Sequence, residues 1–178
     1  LVVGETGRSG NFALNGYTRN TTPALSARHD IATALNAWSC GTNTAASLPC
    51  MFSHLGKEAY ESRKARYENL LDVLQRAGLG VVWVDNQAGC KGVCERVVSF
   101  DTNSAEAAVQ QGCTSGECQD TVMLANLDAR IAALPQAQRD KGVVVVLHQM
   151  GSHGPAYAKR SAEAQKHFMP ECTSNALQ

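Results

Sequence analysis

Gly142-Val143-Val144-Val145-Val146-Leu147-His148 is the stretch that decides the fold. An unbroken β-branched and leucine run, opened by glycine and closed by polar residues, predicts a strand buried on both faces, as strands of a parallel sheet are. Parallel neighbours need crossover connections, most often helices. The stretch therefore predicts an α/β fold: a mostly parallel central sheet flanked by helices.

Leu79-Gly80-Val81-Val82-Trp83-Val84 reads as a second strand. Before it, Tyr67, Leu70, Leu71, Leu74 and Ala77 recur at helical spacing and Gly78 stops the helix. Helix, short turn and strand make half of a βαβ unit. Leu1-Val2-Val3-Gly4-Glu5 reads as a short buried strand with Glu5 at its C-terminal tip. Asp120 to Leu134 reads as a helix whose apolar face is Val122, Met123, Leu124, Leu127, Ile131 and Leu134, and Pro135 bars its continuation. Thr22 and Pro23 fit an N-cap and first helical position. Residues 31–38 read as a further strand leading to Cys40, and Trp38 and Trp83 read as core.

At 178 residues the chain is long enough for one domain with a real core. Its 16 basic and 16 acidic residues cancel, so the basic excess of a nucleic-acid binder is missing. No apolar run is long enough to span a bilayer. Seven cysteines fall as Cys40/Cys50, Cys90/Cys94, Cys113/Cys118 and a lone Cys172. Close pairs on turn-rich loops predict disulfide clips and an oxidising compartment. A structural zinc site is disfavoured, because no C-x-x-C unit occurs. The odd count leaves Cys172 with an expected partner beyond Gln178.

Polar, potentially reactive residues close three strands: Glu5, Asn86 with Lys91, and His148 with His153. In a parallel sheet those ends share one edge, where open α/β sheets bind ligands. Ser39-Cys40-Gly41-Thr42-Asn43-Thr44-Ala45-Ala46-Ser47-Leu48-Pro49-Cys50 packs poorly as core and reads as a stapled loop leading into a helix. A helix start binds anions, and a hydroxyl there is placed for attack on phosphorus or sulfur. The bland alternative is a clipped loop whose Thr42 and Thr44 hydroxyls only bond their own backbone. For Glu5 the alternatives are metal ligation, favoured for an acid at the tip of a buried strand, and a helix-capping or salt-bridged acid; for Lys91, a site cation and a solvated turn. His148 reads as core, His153 as exposed in a cleft, and His29, His54 and His167 as surface.

Gly4-Glu5-Thr6, Asn11-Phe12-Ala13-Leu14-Asn15-Gly16-Tyr17, Ser39-Cys40-Gly41-Thr42-Asn43-Thr44 through Pro49-Cys50-Met51-Phe52-Ser53, and Leu147-His148-Gln149-Met150-Gly151-Ser152-His153-Gly154-Pro155 occur in this order. Together they resemble the lipid A phosphoethanolamine transferases, the family that includes mobile colistin-resistance enzymes. The resemblance covers almost the whole chain and implies an alkaline phosphatase/sulfatase-like fold. It implies a bacterial inner-membrane enzyme whose catalytic domain is periplasmic, and which acts as a monomer.

Carried over by motif, Thr44 is the nucleophile, and Glu5 and Thr44 are ligands of a zinc cofactor. Asn86, Lys91 and His153 contact substrate. Phosphatidylethanolamine is the implied donor and a lipid A phosphate the acceptor, and the modification implies resistance to polymyxins. Gln87 departs from a usual Asp-Asn-Asn, and Gly7-Arg8-Ser9-Gly10 from a usual Ala-Arg-Ala. The family's Asp-His-Gly-Glu metal motif does not occur. The expectation is thus the first part of a catalytic domain, with a transmembrane region before residue 1 and further metal ligands after residue 178. Such a piece is inactive alone. A phosphoglycerol transferase or another enzyme of the same superfamily is the alternative; a sulfatase is disfavoured because no Cys-x-Pro-x-Arg occurs. A non-catalytic periplasmic binding module is the alternative from a different class.

Overall fold

A computed structural model describes residues 1–102, 113–114 and 117–174 of the chain. Four strands form the central sheet in the order β1 (Val2–Val3), β6 (Val143–His148), β2 (Gly80–Asp85) and β3 (Val98–Asp101). All three pairings are parallel. A separate antiparallel hairpin joins β4 (Cys113–Thr114) to β5 (Glu117–Cys118). The helices are α1 (Pro23–Ser26), α2 (Thr44–Met51), α3 (Lys57–Glu61), α4 (Leu70–Arg76), α5 (Leu127–Ala132) and α6 (Gln136–Lys141).

The sheet has an apolar layer on each side. On one, Leu48 and Phe52 of the α2 region and Leu71 of α4 pack on Val3, Val81, Trp83 and Val146. Phe52 meets Trp83 edge-on at 5.7 Å between ring centres. On the other, Val122, Met123 and Leu134 pack on Val82 and Val84, with Leu127 of α5 beside them. Each fully buried leucine contributes roughly 1.5–3 kcal/mol by leaving water. Alternation along β2 explains the division: Val81 and Trp83 face α2 and α4, while Val82 and Val84 face α5.

α4 forms where the spacing placed a helix. Asn69 caps it in a reciprocal capping box with Asp72, and Gly78 takes the left-handed conformation (φ 88°) just beyond its end. Tyr67 lies before the helix and is exposed. Pro23 begins α1 behind Thr22, as expected, although the Thr22 hydroxyl accepts from Leu14 N (3.1 Å) instead of capping the helix.

Several expectations change. Residues 31–38 form no strand, and Trp38 is 90% exposed rather than core. A short apolar run becomes a strand only with a ladder partner, and none of the described strands pairs with this one. Asp120 to Leu134 is not one helix. A 3-10 turn over Asp120–Leu124 and then α5 are separated at Asn126, which is left-handed (φ 55°). β6 is less enclosed than its composition suggests: Val146 and His148 are buried and the rest half-buried, whereas β2 is buried throughout. β1 reaches only the last two residues of β6. Much of the segment that carries the Cys113/Cys118 pair falls outside the described residues.

Candidate active site

Parallel pairing brings strand ends together. Val3, His148, Asp85 and Asp101 are register partners across the carboxyl edge, and Glu5 follows β1 two residues later. The stapled loop ends above this edge. Asn43 is the N-cap of α2 and its side chain accepts from Ala46 N at 2.9 Å, so Thr44 is the first helical residue. The Cys40–Cys50 disulfide ties the approach to α2 onto the helix itself. Gly41 fits because a Cβ there would lie 2.8 Å from the Ala46 Cβ.

Glu5 and Thr44 meet. The Thr44 hydroxyl donates to Glu5 Oε2 at 2.9 Å across 39 residues of sequence. Gln87 Nε2 donates to the same oxygen at 3.1 Å, and the Thr6 hydroxyl donates to Oε1 at 2.9 Å. Burial pushes the Glu5 carboxyl up, but the Thr6 and Thr44 hydrogen bonds and the charge of His153 outweigh it. The net effect holds Glu5 below its ordinary value, so it is a carboxylate at neutral pH.

The loop after β6 closes on the backbone of Glu5. Gly151 is left-handed (φ 53°), and a Cβ there would lie 2.7 Å from Glu5 O and 2.9 Å from Glu5 N. Ser152 N donates to Glu5 O at 3.1 Å. This docking brings His153 to the site. Its Nδ1 lies 2.6 Å from the Gly154 carbonyl, which can only accept, so Nδ1 carries a hydrogen and Nε2 remains for a ligand. His153 is exposed, as the sequence suggested.

Lys91 lies in the turn after β2, between Cys90 and Cys94, which are disulfide-bonded. It is exposed and left-handed (φ 51°), and its ammonium donates to the Ala88 carbonyl. Asn86 is placed differently. It is 1% exposed, with its amide donating to Cys118 O (3.1 Å) and Asp120 Oδ1 (2.9 Å) and accepting from Thr102 (2.5 Å). Its side chain ties β2 to the β4–β5 hairpin, and Gln87 reaches Glu5 instead.

Two contributors were not read from the sequence. Asp120 accepts from Met150 N (2.7 Å), Gly151 N (2.9 Å) and Asn86, and so fixes the loop that carries His153. Asp85 accepts from Trp83 Nε1 (2.8 Å) and Gln87 N (2.8 Å), and its Oδ2 lies 3.0 Å from His148 Nδ1. His148 is the core histidine expected, with Nδ1 so engaged and Nε2 buried without a hydrogen-bond partner among the described residues. Asp85 was legible by the rule that singled out Glu5: an acid closing a buried strand. Asp120 had no such signal. The three expected disulfides form, and Cys172 is free and exposed.

Among the described residues, no group of three or more His, Cys, Asp and Glu side chains is arranged to hold a metal. Glu5 and Thr44 supply an anionic oxygen and an adjacent hydroxyl. Those donors suit zinc and would fill two of about four positions around it.

A family description, Sulfatase, matches residues 1–178. Phosphoethanolamine transferase EptA of Escherichia coli K12 is 44% identical over all of this chain and 31% of its own length. Phosphatidylethanolamine transferase Mcr-1 of Escherichia coli is 41% identical over 99% of this chain and 33% of its own. Lipooligosaccharide phosphoethanolamine transferase A from Neisseria meningitidis, solved as a soluble domain and as an integral membrane protein, is 45% identical. Both structures superpose with a TM-score of 0.87 over 98% of this chain, covering 51% and 32% of theirs. The chain spans about a third of the length of the curated relatives it matches. No helix among the described residues is long and apolar enough to cross a membrane. With its whole length matched, and with a parallel sheet and three clipped loops in place, the chain belongs to the sulfatase family and, within it, fits the lipid A phosphoethanolamine transferases that its motifs resemble.

Proposed function

We propose that the protein carrying this chain transfers phosphoethanolamine from phosphatidylethanolamine to a lipid A phosphate, through a phosphoryl ester on Thr44. One observation carries this reading. The Thr44 hydroxyl, at the N-terminus of α2, donates at 2.9 Å to a carboxylate held below its ordinary pKa. That is a nucleophile beside an acceptor for its proton, at a helix end that favours a phosphate. The names of the relatives supply the donor and the transferred group.

In the first step Thr44 Oγ bonds to the phosphorus and the bond to the diacylglycerol oxygen breaks. The threonine proton leaves along the hydrogen bond to Glu5 and ends on the released diacylglycerol. Lys91 and the imidazolium form of His153, through its Nε2–H, hold phosphoryl oxygens as charge builds on them. In the second step an oxygen of the acceptor phosphate monoanion attacks the same phosphorus, its proton passes by way of Glu5 to Thr44 Oγ, and Thr44 Oγ departs as the hydroxyl. A zinc ion held by Glu5 and Thr44, when bound, lowers the pKa of the hydroxyl it contacts. The reaction places the domain on the periplasmic side of a bacterial inner membrane. It adds an amine to lipid A, offsets the negative charge there and weakens the binding of polymyxins.

Thr44→Ala in the full-length protein, assayed for phosphoethanolamine on lipid A by mass spectrometry of extracted lipid, is expected to lower transfer by about a hundredfold or more. Transfer at the parent rate would refute the role of Thr44.

A further inference from the structure

A cleft of about 380 Å³ opens beside the first turn of α2, with Ala45, the neighbour of Thr44, in its wall. Lys91 lines it too, so it adjoins the site above. Its remaining cations are Arg63, Arg66 and Arg96. Two carboxylates share the cleft, Glu68 and Glu95, and Glu68 is already ion-paired with Arg76. Arg96 is forked onto Asp72 at 2.8 and 2.5 Å and serves the fold. Arg63 is held with its guanidinium 3.5 Å from the centre of the Tyr60 ring and donates to the Tyr60 carbonyl. Arg66 is exposed and has no hydrogen-bond or ion-pair partner among the described residues. Tyr60 and Tyr67 add two aromatic surfaces, and Tyr67 is braced edge-on against His54 at 5.3 Å.

The chemistry narrows the ligand. A surplus of guanidinium groups selects a phosphate or carboxylate dianion over a zwitterion, because forked donors match its oxygens. Tyrosine faces suit the C–H faces of a sugar ring. The volume suits one or two sugar units and lies within the range of small-molecule sites. The phosphoethanolamine group is zwitterionic and gains little from a cluster of arginines.

We propose that this cleft is the acceptor site. Arg63 and Arg66 hold a phosphate monoester on a sugar, Tyr67 packs against the ring, and the acceptor phosphate is thereby delivered to the phosphoryl group on Thr44. The proposal rests on the reading of Thr44 given above.

The test is kinetic, on the full-length protein, with phosphatidylethanolamine as donor and purified lipid A as acceptor. Arg63→Ala/Arg66→Ala is expected to raise the lipid A KM about tenfold or more with a much smaller change in kcat, which corresponds to at least one lost charged contact. Arg66→Lys in the Arg63→Ala background is expected to recover part of that loss. Arg28→Ala, whose guanidinium pairs with Asp30 away from the cleft, is the control and leaves the KM unchanged. Glucosamine 1-phosphate, but not glucosamine, is expected to compete with lipid A in the parent and not in the double variant. Competition by the soluble sugar phosphate assigns recognition to the phosphorylated sugar. Competition by a lipid-borne phosphate alone extends the site to the lipid. An unchanged lipid A KM in the double variant overturns the proposal. The Thr44 reading is checked apart from this, by the mass of the protein incubated with donor alone, so its failure is seen separately.

Discussion

Gly151 joins the two halves of the site. It is left-handed, and it has room for no Cβ because the backbone of Glu5 lies 2.7–2.9 Å from where that atom would be. Gly151→Ala is expected to cost about 2 kcal/mol or more, from the left-handed conformation and from displacing Glu5. Thermal melts of parent and variant check this. Transfer activity should fall by a larger factor than the loss of folded protein explains, because the displaced group holds Thr44. Single residues were legible where chemistry and position agreed. Glu5, Thr44 and His153 were read from strand tips and a helix start, and the structure brings them together. Asn86 was read from the same tip, yet its side chain is buried elsewhere. Side chains alternate along an extended chain, so Asp85 turns to the side of Trp83 while Asn86 turns to the hairpin. Residue type alone does not report that.

α2 is the element on which the site depends, and it is only eight residues long with Pro49 inside it. A helix that short is marginal by itself. It is held by Leu48 and Phe52 in the core, by its Asn43 cap and by the Cys40–Cys50 bridge. Replacing both cysteines by serine is expected to cost about 2–3 kcal/mol, the scale for closing a loop of this length. Denaturant titration of parent and double variant measures that. Elements were legible where burial sets the period: β2, β6, α4 and the clipped loops stand where the pattern placed them. Two misreadings have a common source. Residues 31–38 carry strand-forming side chains without a partner strand, and Asp120 to Leu134 carries a helical stripe interrupted at Asn126. Pairing and local backbone reversal are decided by the rest of the molecule.

The chain carries no net charge at pH 7, and its buried acids give its stability a definite pH dependence. Burial pushes the Asp85 carboxyl up, but bonds to His148, Trp83 and Gln87 more than offset this and hold it below its ordinary 3.8. Asp72 is held low chiefly by Arg96. A depressed folded-state pKa gives stability that is fully present above the unfolded value and lost as pH falls through the folded one. Melting temperature is therefore expected to be flat from about pH 5 to 7 and to fall below about pH 4. Asp85→Asn should flatten that acid decline while lowering stability at neutral pH by about 1–3 kcal/mol, since His148 and Gln87 lose a charged acceptor. A decline that begins near pH 6 instead would contradict this assignment to the buried carboxylates. The architecture, with its one reactive sheet edge, was legible from a few strands and loops. The arginine cleft beside Thr44 was not, because its cations come from segments separated in sequence. The central claim is that Thr44 carries the transferred group, and the most direct measurement is the intact mass of the full-length protein after incubation with phosphatidylethanolamine and zinc, followed by peptide mapping. The account predicts one phosphoethanolamine added on Thr44 and discharged by lipid A; an adduct on another residue, or transfer to lipid A with Thr44 never modified, would contradict it.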